Sequence, residues 1–402
     1  MDEEYGLKVL KDLISFPTVV PPGENYRECA EYLYNELKNF GLKVEFIEVP
    51  KAYLEKYLPK YSNYPRYIVI GRLGKGRPVL HFNGHYDVVP AGGDWKVTKP
   101  FEPKVVNGKV FGRGASDMKG GIASILMMLK TLVEEDYSPN GTIEVSFTPD
   151  EEIGGRTGVG FMLEAGLVDP DYCIIGEPSG VHNIWHGHKG AVWLELVFHG
   201  KSAHASRPWM GENAFEKMVE VAYRIIHELK PRIESKVSKY DYGVEEGKKA
   251  SINLGGVVKG GLKINIVPDK CSFTIDRRVI PEETADEAEK EIIEFLEEIA
   301  RENPKLKVEV KVLGKSNACV VNPNSKICKI VSKAVEETTG VKPSLTMCMG
   351  GLDLKYFVNR GIEGIAYGPG LLTQSHVTDE YVLIDDIVKV AQAYTKTVKK
   401  LL

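Results

Sequence analysis

Histidine and carboxylate side chains recur at the ends of apolar segments and in glycine-containing turns. The residues concerned are His85, Asp117, Glu151, Glu152, Glu177 and His376. Imidazole nitrogens and carboxylate oxygens form the ligand set of zinc, whose catalytic sites keep one position open for water. Carboxylates that converge on one site repel each other unless cations neutralise them. The residue types therefore predict a hydrolytic metal site.

The number of these side chains suits two neighbouring ions. Two histidines, two glutamates and a bridging aspartate would supply both ions, which share a ligand in two-metal hydrolases. The adjacent pair Glu151 and Glu152 can provide one ligand and one general base that takes a proton from water. Asp87, two residues after His85, would accept the second ring N–H of that histidine and fix its tautomer.

Taken singly, each of these residues has a structural explanation. A histidine at the end of a strand is usually structural or exposed. Asp117 could cap the helix that starts at Met118, and Glu177 could be an ordinary loop acid. The prediction of a metal site depends on the joint pattern, because ligands of open α/β sheets bind beyond the carboxyl ends of the strands.

The elements that would position these residues alternate between strands and helices. Residues 66–73 and 78–84 predict strands, and "GTIEVSFTPDEE", residues 141–152, predicts a strand that runs into acids, whereas 24–40 and 118–135 have the apolar spacing of helices. This alternation predicts an α/β fold with a mostly parallel central sheet and helices on both faces.

The pattern changes near residue 186. There "GAVWLELVFHGK" alternates like a half-solvated antiparallel strand, and a βαββα block follows before the αβ pattern returns. A chain of 402 residues also exceeds what one hydrophobic core usually supports. We therefore expect a discontinuous catalytic domain, residues 1–183 and 294–402, and an inserted α+β domain, residues 184–293.

The composition limits the class of protein. With 43% hydrophobic and 27% charged residues, the composition is typical of globular proteins. The net charge of -4 gives no excess of basic residues that would indicate nucleic-acid binding. No apolar stretch is long enough to span a bilayer, and the start "MDEEYGLKVLKDL" is unlike a signal peptide. We expect a cytoplasmic protein without nucleic-acid or membrane partners. Its six cysteines form no CxxC pair, which favours reduced core thiols over a zinc–cysteine site.

The motifs "GHYDVVP", "GRGASDMKGG", "DEEIGG" and "GEPS", in this order, resemble those of the M20 metallopeptidase family. The resemblance covers nearly the whole chain and implies a zinc-exopeptidase-like fold with two divalent ions, zinc or cobalt. It also implies a cis peptide between Asp117 and Met118. The implied site residues are His85 and Glu177 for one ion, Glu152 and His376 for the other, Asp117 as the bridge, Glu151 as general base, and Asp87 as the residue that orients His85.

By the same resemblance, the inserted domain is a lid that also forms a homodimer. His204 would reach a neighbouring subunit's site and stabilise the oxyanion, although a surface-loop histidine is the ordinary interpretation. Asn265 and Arg278 would hold a substrate carboxylate, with Arg277 as the competing arginine. Arginine suits this role because its guanidinium is a fixed bidentate donor.

The resemblance further implies an amidohydrolase that acts on small N-acyl amino acids, with a carboxypeptidase or dipeptidase as the alternative. The turn "MGGLD", whose Gly350 and Gly351 would line the substrate pocket, is similar to that of carboxypeptidases and aminoacylases. By contrast, "GPGLLTQSHVTDEY" is similar to the motif of acetylornithine deacetylases. Leu372 stands where desuccinylases usually have an asparagine, which speaks against strict desuccinylase specificity. A binding protein without catalysis is disfavoured because Glu151 and all five presumed ligands are present.

Overall fold

The chain, described over residues 1–402 by a computed structural model, divides into two compact units. Unit 1 comprises Met1–Gly187, Val321–Thr346 and Leu352–Leu402, and unit 2 comprises His188–Val320 and Met347–Gly351. Unit 2 extends beyond the predicted insert, residues 184–293. The reason is that a strand at Val308–Ser316 pairs with the strand Gly190–His199, which a local sequence pattern does not reveal.

The regular elements are numbered here in chain order. The α-helices are α1 (Glu3–Ser15), α2 (Tyr26–Asn39), α3 (Lys51–Tyr57), α4 (Gly120–Glu134), α5 (Phe161–Glu164), α6 (Ala214–Arg224), α7 (Lys230–Glu234), α8 (Ala285–Glu302), α9 (Lys326–Thr339), α10 (Leu354–Val358) and α11 (Ile384–Leu401). The strands are β1 (Lys43–Glu48), β2 (Tyr67–Gly74), β3 (Val79–His85), β4 (Lys104–Val106), β5 (Lys109–Phe111), β6 (Thr142–Thr148), β7 (Tyr172–Ile175), β8 (Asn183–His188), β9 (Gly190–His199), β10 (Ser251–Gly260), β11 (Lys270–Val279), β12 (Val308–Ser316), β13 (Cys319–Val320), β14 (Ser344–Cys348), β15 (Glu363–Ala366) and β16 (Tyr381–Leu383).

The main sheet of unit 1 has its parallel strands at the centre. Its strands run in the order β1-β2-β6-β3-β7-β15-β8. Strand β3 is parallel to β6 and β7, and β15 is parallel to β7. Every residue of β6 is buried, as expected for a strand covered on both faces. The predicted α/β fold with a mostly parallel sheet is confirmed.

Helix α4 packs against β3 of this sheet. It packs against α1 and α11, and all of its residues from Gly120 to Leu129 are buried. A Cβ atom at Gly121 would lie 2.0 Å from the carbonyl oxygen of Gly176. Only glycine therefore allows the first turn of α4 to approach the segment that carries Glu177.

Unit 2 contains a separate antiparallel sheet in the order β10-β11-β9-β12. Alternate residues of β9, among them Leu194, Leu196 and Phe198, contribute to its core together with helices α6 and α8. A π turn at Ile225–Leu229 joins α6 to α7, so the helical segment continues to Glu234.

Two expectations about the whole chain can be compared with the structure. No helix combines the length and the apolar character that crossing a bilayer requires. All six cysteines are buried and none forms a disulfide, as expected for core thiols. His81 of β3 is fully buried and pairs with Glu144 and Ser146.

Candidate metal centre

Five segments of unit 1 bring polar side chains together beyond the carboxyl ends of its parallel strands. Strand β3 ends in the first of them, β6 and β7 each precede one segment, and the turn before α4 and the loop after β15 supply the others. The side chains brought together are His85, Asp117, Glu151, Glu152, Glu177 and His376. These are the six residues that the sequence singles out.

His85 lies at one side of the cluster. Its Nε2 is 3.2 Å from Asp117 Oδ1 and 3.8 Å from Glu177 Oε1. Potential ligand atoms of His85, Glu151 and Glu177 lie within 4.8 Å of one another, and so do those of His85, Asp117 and Glu152. Because zinc ligands lie about 2 Å from the ion, such separations leave room for a cation between them.

His376 lies at the other side of Asp117. Its Nε2 is 2.9 Å from Glu152 Oε2 and 3.5 Å from Asp117 Oδ2. One oxygen of Asp117 therefore faces each histidine, so the carboxylate lies between the two imidazoles. The peptide bond between Asp117 and Met118 is cis.

The electrostatics of the cluster fit divalent cations. Glu177 is buried, and its Oε1 has no hydrogen-bond partner, which is costly for a carboxylate. Burial and neighbouring carboxylates raise the pKa of Glu151 and Glu177 well above the ordinary range, and the pKa of Glu152 to about 7. Cations bound here would offset the repulsion that raises these pKa values.

Asp87 holds both His85 and the turn that follows β6. Its two carboxylate oxygens accept the main-chain N–H groups of Glu151 at 3.3 Å and Glu152 at 3.1 Å. His85 Nδ1 lies 3.0 Å from the main-chain oxygen of Asp87 and 3.5 Å from its Oδ1. The sequence predicts the carboxylate as the partner of the ring; the carbonyl of the same residue is nearer, because the carboxylate is engaged by the turn.

Asp150, which the sequence does not single out, anchors the same turn. Its carboxylate forms a fully buried ion pair with Arg66, with 2.6 Å between Oδ2 and Nε, and it also accepts the hydroxyls of Tyr26 and Thr157. Asp150 belongs to the quoted motif "DEEIGG", but nothing in the motif separates an anchoring acid from a ligand.

Two further buried carboxylates, those of Asp353 and Glu380, are also not predicted from the sequence. Both oxygens of Asp353 lack a hydrogen-bond partner, and the nearest cation is Lys355, at 3.7 Å. Glu380 accepts four hydrogen bonds from the turn before α4. Each lies at the end of a motif already noted, "MGGLD" and "GPGLLTQSHVTDEY", which is the only local signal.

The remaining predicted residues belong to unit 2. His204 is exposed, with its Nδ1 2.7 Å from Ser206 Oγ. The N–H of Ala205 donates to the carbonyl of Asn265 at 3.0 Å, so the segments of His204 and Asn265 are neighbours. Gly350 and Gly351 lie in the segment Met347–Gly351, where a Cβ at Gly351 would meet no atom within 4 Å.

The two candidate arginines of β11 differ in their surroundings. Arg277 is fully buried, and its Nη2 donates to both oxygens of Glu283, at 2.7 and 2.8 Å. Arg278 is 31% exposed and donates to Asp276 at 2.9 Å. Of the two guanidinium groups, that of Arg278 is therefore the accessible one.

Comparison with known proteins identifies relatives along the whole chain. The model of peptidase family M20/M25/M40 matches residues 81–400. The chain is 28% identical over 413 residues to the succinyl-diaminopimelate desuccinylase of Psychromonas ingrahamii, with 100% of each chain covered. It is 26% identical to a probable succinyl-diaminopimelate desuccinylase of Staphylococcus aureus, over 96% of this chain and 95% of that one.

Solved structures have the same fold. An M20 family metallo-carboxypeptidase of Sulfolobus solfataricus superposes with a TM-score of 0.79 at 21% identity, covering 99% of each chain. A dipeptidase of Saccharomyces cerevisiae superposes with a TM-score of 0.81 at 15% identity, over 98% of this chain and 95% of that one. The chain thus belongs to peptidase family M20/M25/M40, a family of metal-dependent hydrolases that cleave amide and peptide bonds.

Proposed function

We propose that the protein is a two-metal deacylase that hydrolyses the amide bond of N-acyl amino acids. The observation that carries this proposal is the carboxylate of Asp117, whose two oxygens face His85 and His376 separately. A carboxylate between two imidazoles suits a pair of ions that share one ligand.

The ligand assignment follows the two sides of this carboxylate. We propose His85 and Glu177 for one ion, Glu152 and His376 for the other, and Asp117 for both. When bound, two divalent ions, zinc or cobalt, would polarise the scissile carbonyl and lower the pKa of a water. The chain's own contribution is to fix the ligands: His85 through the main-chain oxygen of Asp87, and Glu152 through the carboxylate of the same residue.

Glu151 is the general base of the proposed reaction. It neighbours Glu152 in sequence but groups with His85 and Glu177 in space. In the metal-free protein, burial and nearby carboxylates raise its pKa well above the ordinary range. Glu151 takes a proton from the water whose oxygen attacks the carbonyl carbon. It returns that proton to the amine nitrogen as the C–N bond breaks.

In unit 2, we assign the substrate carboxylate to Arg278 rather than Arg277. The guanidinium of Arg277 is buried and already neutralised by Glu283, whereas that of Arg278 is partly exposed. Asn265 and the main chain of Gly350 and Gly351 complete the proposed substrate contacts.

A homodimer through unit 2 is part of the proposal. Helix α6 and the π turn after it carry an apolar stripe, in which Phe215, Val219, Tyr223 and Ile226 are 52%, 47%, 61% and 46% exposed. Their spacing places them on one helical face, and exposed apolar patches of this kind mark interaction surfaces. A second copy of the chain would cover the stripe, and His204 would stabilise the oxyanion in the neighbouring subunit.

A carboxypeptidase or dipeptidase is the alternative. Two observations favour it: the turn "MGGLD" is similar to that of carboxypeptidases and aminoacylases, and similar structures are described as a metallo-carboxypeptidase and a dipeptidase. The same residues would perform that reaction, so only the substrate separates the two functions. A binding protein without catalysis is disfavoured because Glu151 and all five proposed ligands are retained.

A substrate panel tests the proposal. The zinc- or cobalt-loaded protein is assayed against N-acetyl amino acids, N-succinyl amino acids and free dipeptides that share one C-terminal residue. We expect the highest kcat/KM for an N-acyl amino acid. Preference for free dipeptides would select the alternative, and no hydrolysis by the metal-loaded protein would reject both.

Replacement of the base tests the mechanism. We expect Glu151→Ala to retain its metal content and to lose turnover by roughly 10²–10⁴-fold, the usual contribution of a general base. Metal analysis and steady-state kinetics measure the two effects separately. Glu55→Ala, which removes an exposed carboxylate of α3, is the control and retains activity. Near-wild-type turnover of Glu151→Ala would contradict the assignment.

A further inference from the structure

The turn before α4 and the loop after β15 are joined by one buried carboxylate, that of Glu380. Its Oε1 accepts the main-chain N–H groups of Ser116 at 2.9 Å and Asp117 at 3.1 Å. Its Oε2 accepts the N–H of Gly114 at 3.1 Å and Nη1 of Arg113 at 2.7 Å. Four donors thus converge on a side chain that is 1% exposed.

Other contacts run between the same two segments. The N–H of Gly112 donates to the carbonyl of Glu380 at 3.0 Å. Ser116 Oγ donates to the carbonyl of Leu371 at 3.2 Å and accepts the N–H of the same residue at 3.2 Å. A Cβ at Gly370 would lie 2.4 Å from Ser116 Oγ, so the segments pack too closely for a side chain there. The two segments therefore form one connected piece.

Of the proposed ligands, His376 depends most on contacts with another segment for its position. Its side chain is 53% exposed, whereas that of His85 is 1% exposed. Its backbone has a φ of 64°, a left-handed conformation that few non-glycine residues adopt. His85 ends a central strand, but His376 lies in an irregular loop four residues before Glu380.

We propose that Glu380 is a positioning residue that sets the affinity of the metal ion held by Glu152 and His376. It does so by fixing the loop of His376 to the turn of Asp117, so that both approach the ion at the correct separation. The inference rests on the proposed two-metal function. The ion at His85 and Glu177 is affected less, because the segments of these ligands extend directly from β3 and β7.

The substitution Glu380→Gln tests this role. Glutamine keeps the size of the side chain but replaces one carboxylate oxygen with an NH₂ group. The N–H donors of the turn before α4 therefore lose the acceptor that this oxygen provided. Metal-free protein is titrated with Co²⁺, followed by visible absorption, and with Zn²⁺, followed by calorimetry. We expect two ions to bind the wild type. In the variant, we expect the ion at Glu152 and His376 to bind roughly 10–100-fold more weakly and the ion at His85 and Glu177 to lose much less affinity.

Glu144→Gln is the matched control. Glu144 is also a buried carboxylate of unit 1, but it pairs with Arg72 and His81 rather than with the turn before α4. We expect this variant to lose stability while binding both ions as the wild type does. A general effect of losing a buried carboxylate would instead weaken metal binding in both variants.

The outcomes separate the inference from the function on which it rests. Unchanged binding of both ions by Glu380→Gln, or equal weakening of both, would overturn the role of Glu380. Should that variant not fold, Ser116→Ala removes the hydroxyl that links the segments and is expected to weaken the same ion a few-fold; unchanged binding there would likewise overturn the role. A wild type that does not bind two ions would contradict the proposed function itself.

Discussion

The carboxylate of Asp353 lies in an unfavourable environment in the metal-free protein. It is fully buried without a hydrogen-bond partner, and a Cβ at Gly155 would lie 1.7 Å from its Oδ1. Burial raises its pKa to about 6. A raised carboxyl pKa means that the folded protein binds this proton more tightly than the unfolded chain does. Its contribution to stability is therefore complete below about pH 4 and is lost as the pH rises through about 6.

The substitution Asp353→Asn removes this titration. At pH 8, the metal-free variant is expected to have a free energy of unfolding about 1–3 kcal/mol above that of the wild type, from a pKa difference of about two units. At pH 4 the gain should vanish. Urea unfolding at the two pH values measures the difference. An equal effect at both pH values would show that the carboxylate does not titrate in this range.

Individual site residues could be predicted where their position relative to a strand carries the signal. His85, Glu152 and Glu177 each follow an apolar run, so the sheet edge on which they meet follows from the pattern. Asp150 and Glu380 could not be predicted, because a buried carboxylate is recognised by its partners. Those partners, Arg66 and Arg113, lie 84 and 267 residues away in sequence.

At the scale of elements, a buried ion pair fixes the turn that follows β6. Asp150 has a left-handed backbone, with a φ of 67°, and its carboxylate is the buried partner of Arg66. The pair thus fixes the point at which the chain turns to present Glu151 and Glu152. An anchor of this kind acts on stability and on the site together.

The substitution Asp150→Ala is expected to lower the free energy of unfolding by about 3–5 kcal/mol, because it leaves Arg66 buried without a counter-charge. The freed turn should also reduce metal affinity. Thermal unfolding and metal titration measure the two effects. Glu31→Ala, which removes the partner of exposed Arg27, is the control and should change stability little. A variant as stable as the wild type would show that the pair does not anchor the turn.

The long elements could be predicted and the short ones could not. Helix α4 and strand β3 begin and end within two residues of their predicted bounds, because their apolar spacing is continuous, whereas β6 ends at Thr148, before the acids included in the predicted segment. Helix α3 and the three-residue strands β4, β5 and β16 were not expected. Such short segments carry too few residues to establish a period, and contacts distant in sequence determine their conformation.

At the scale of the whole molecule, the apolar stripe of α6 predicts the oligomeric state. A variant with both Val219→Glu and Tyr223→Glu places two charges on the stripe and is expected to convert a dimer to monomers. Light scattering coupled to size exclusion measures the mass. If His204 acts in the neighbouring subunit, the monomer should also lose most hydrolysis while keeping its metal content.

The control for the stripe is Val244→Glu, at a residue of unit 2 that is 51% exposed and lies outside α6. This variant should remain dimeric and active. A monomeric wild type, or a dimer that tolerates both charges on the stripe, would contradict the proposed interface.

The interleaving of the two units has a consequence for synthesis on the ribosome. Strand β15 lies between β7 and β8 in the sheet, yet its residues emerge roughly 190 residues after β7, about 10–40 s later at an elongation rate of about 5–20 residues per second. Within that interval all four strands of the unit 2 sheet are synthesised, while one edge of β7 still has no partner strand. An unpaired parallel edge invites association with other chains. The nascent chain is therefore vulnerable to aggregation between completion of β7 and arrival of β15, and a chaperone would be of most use in that interval.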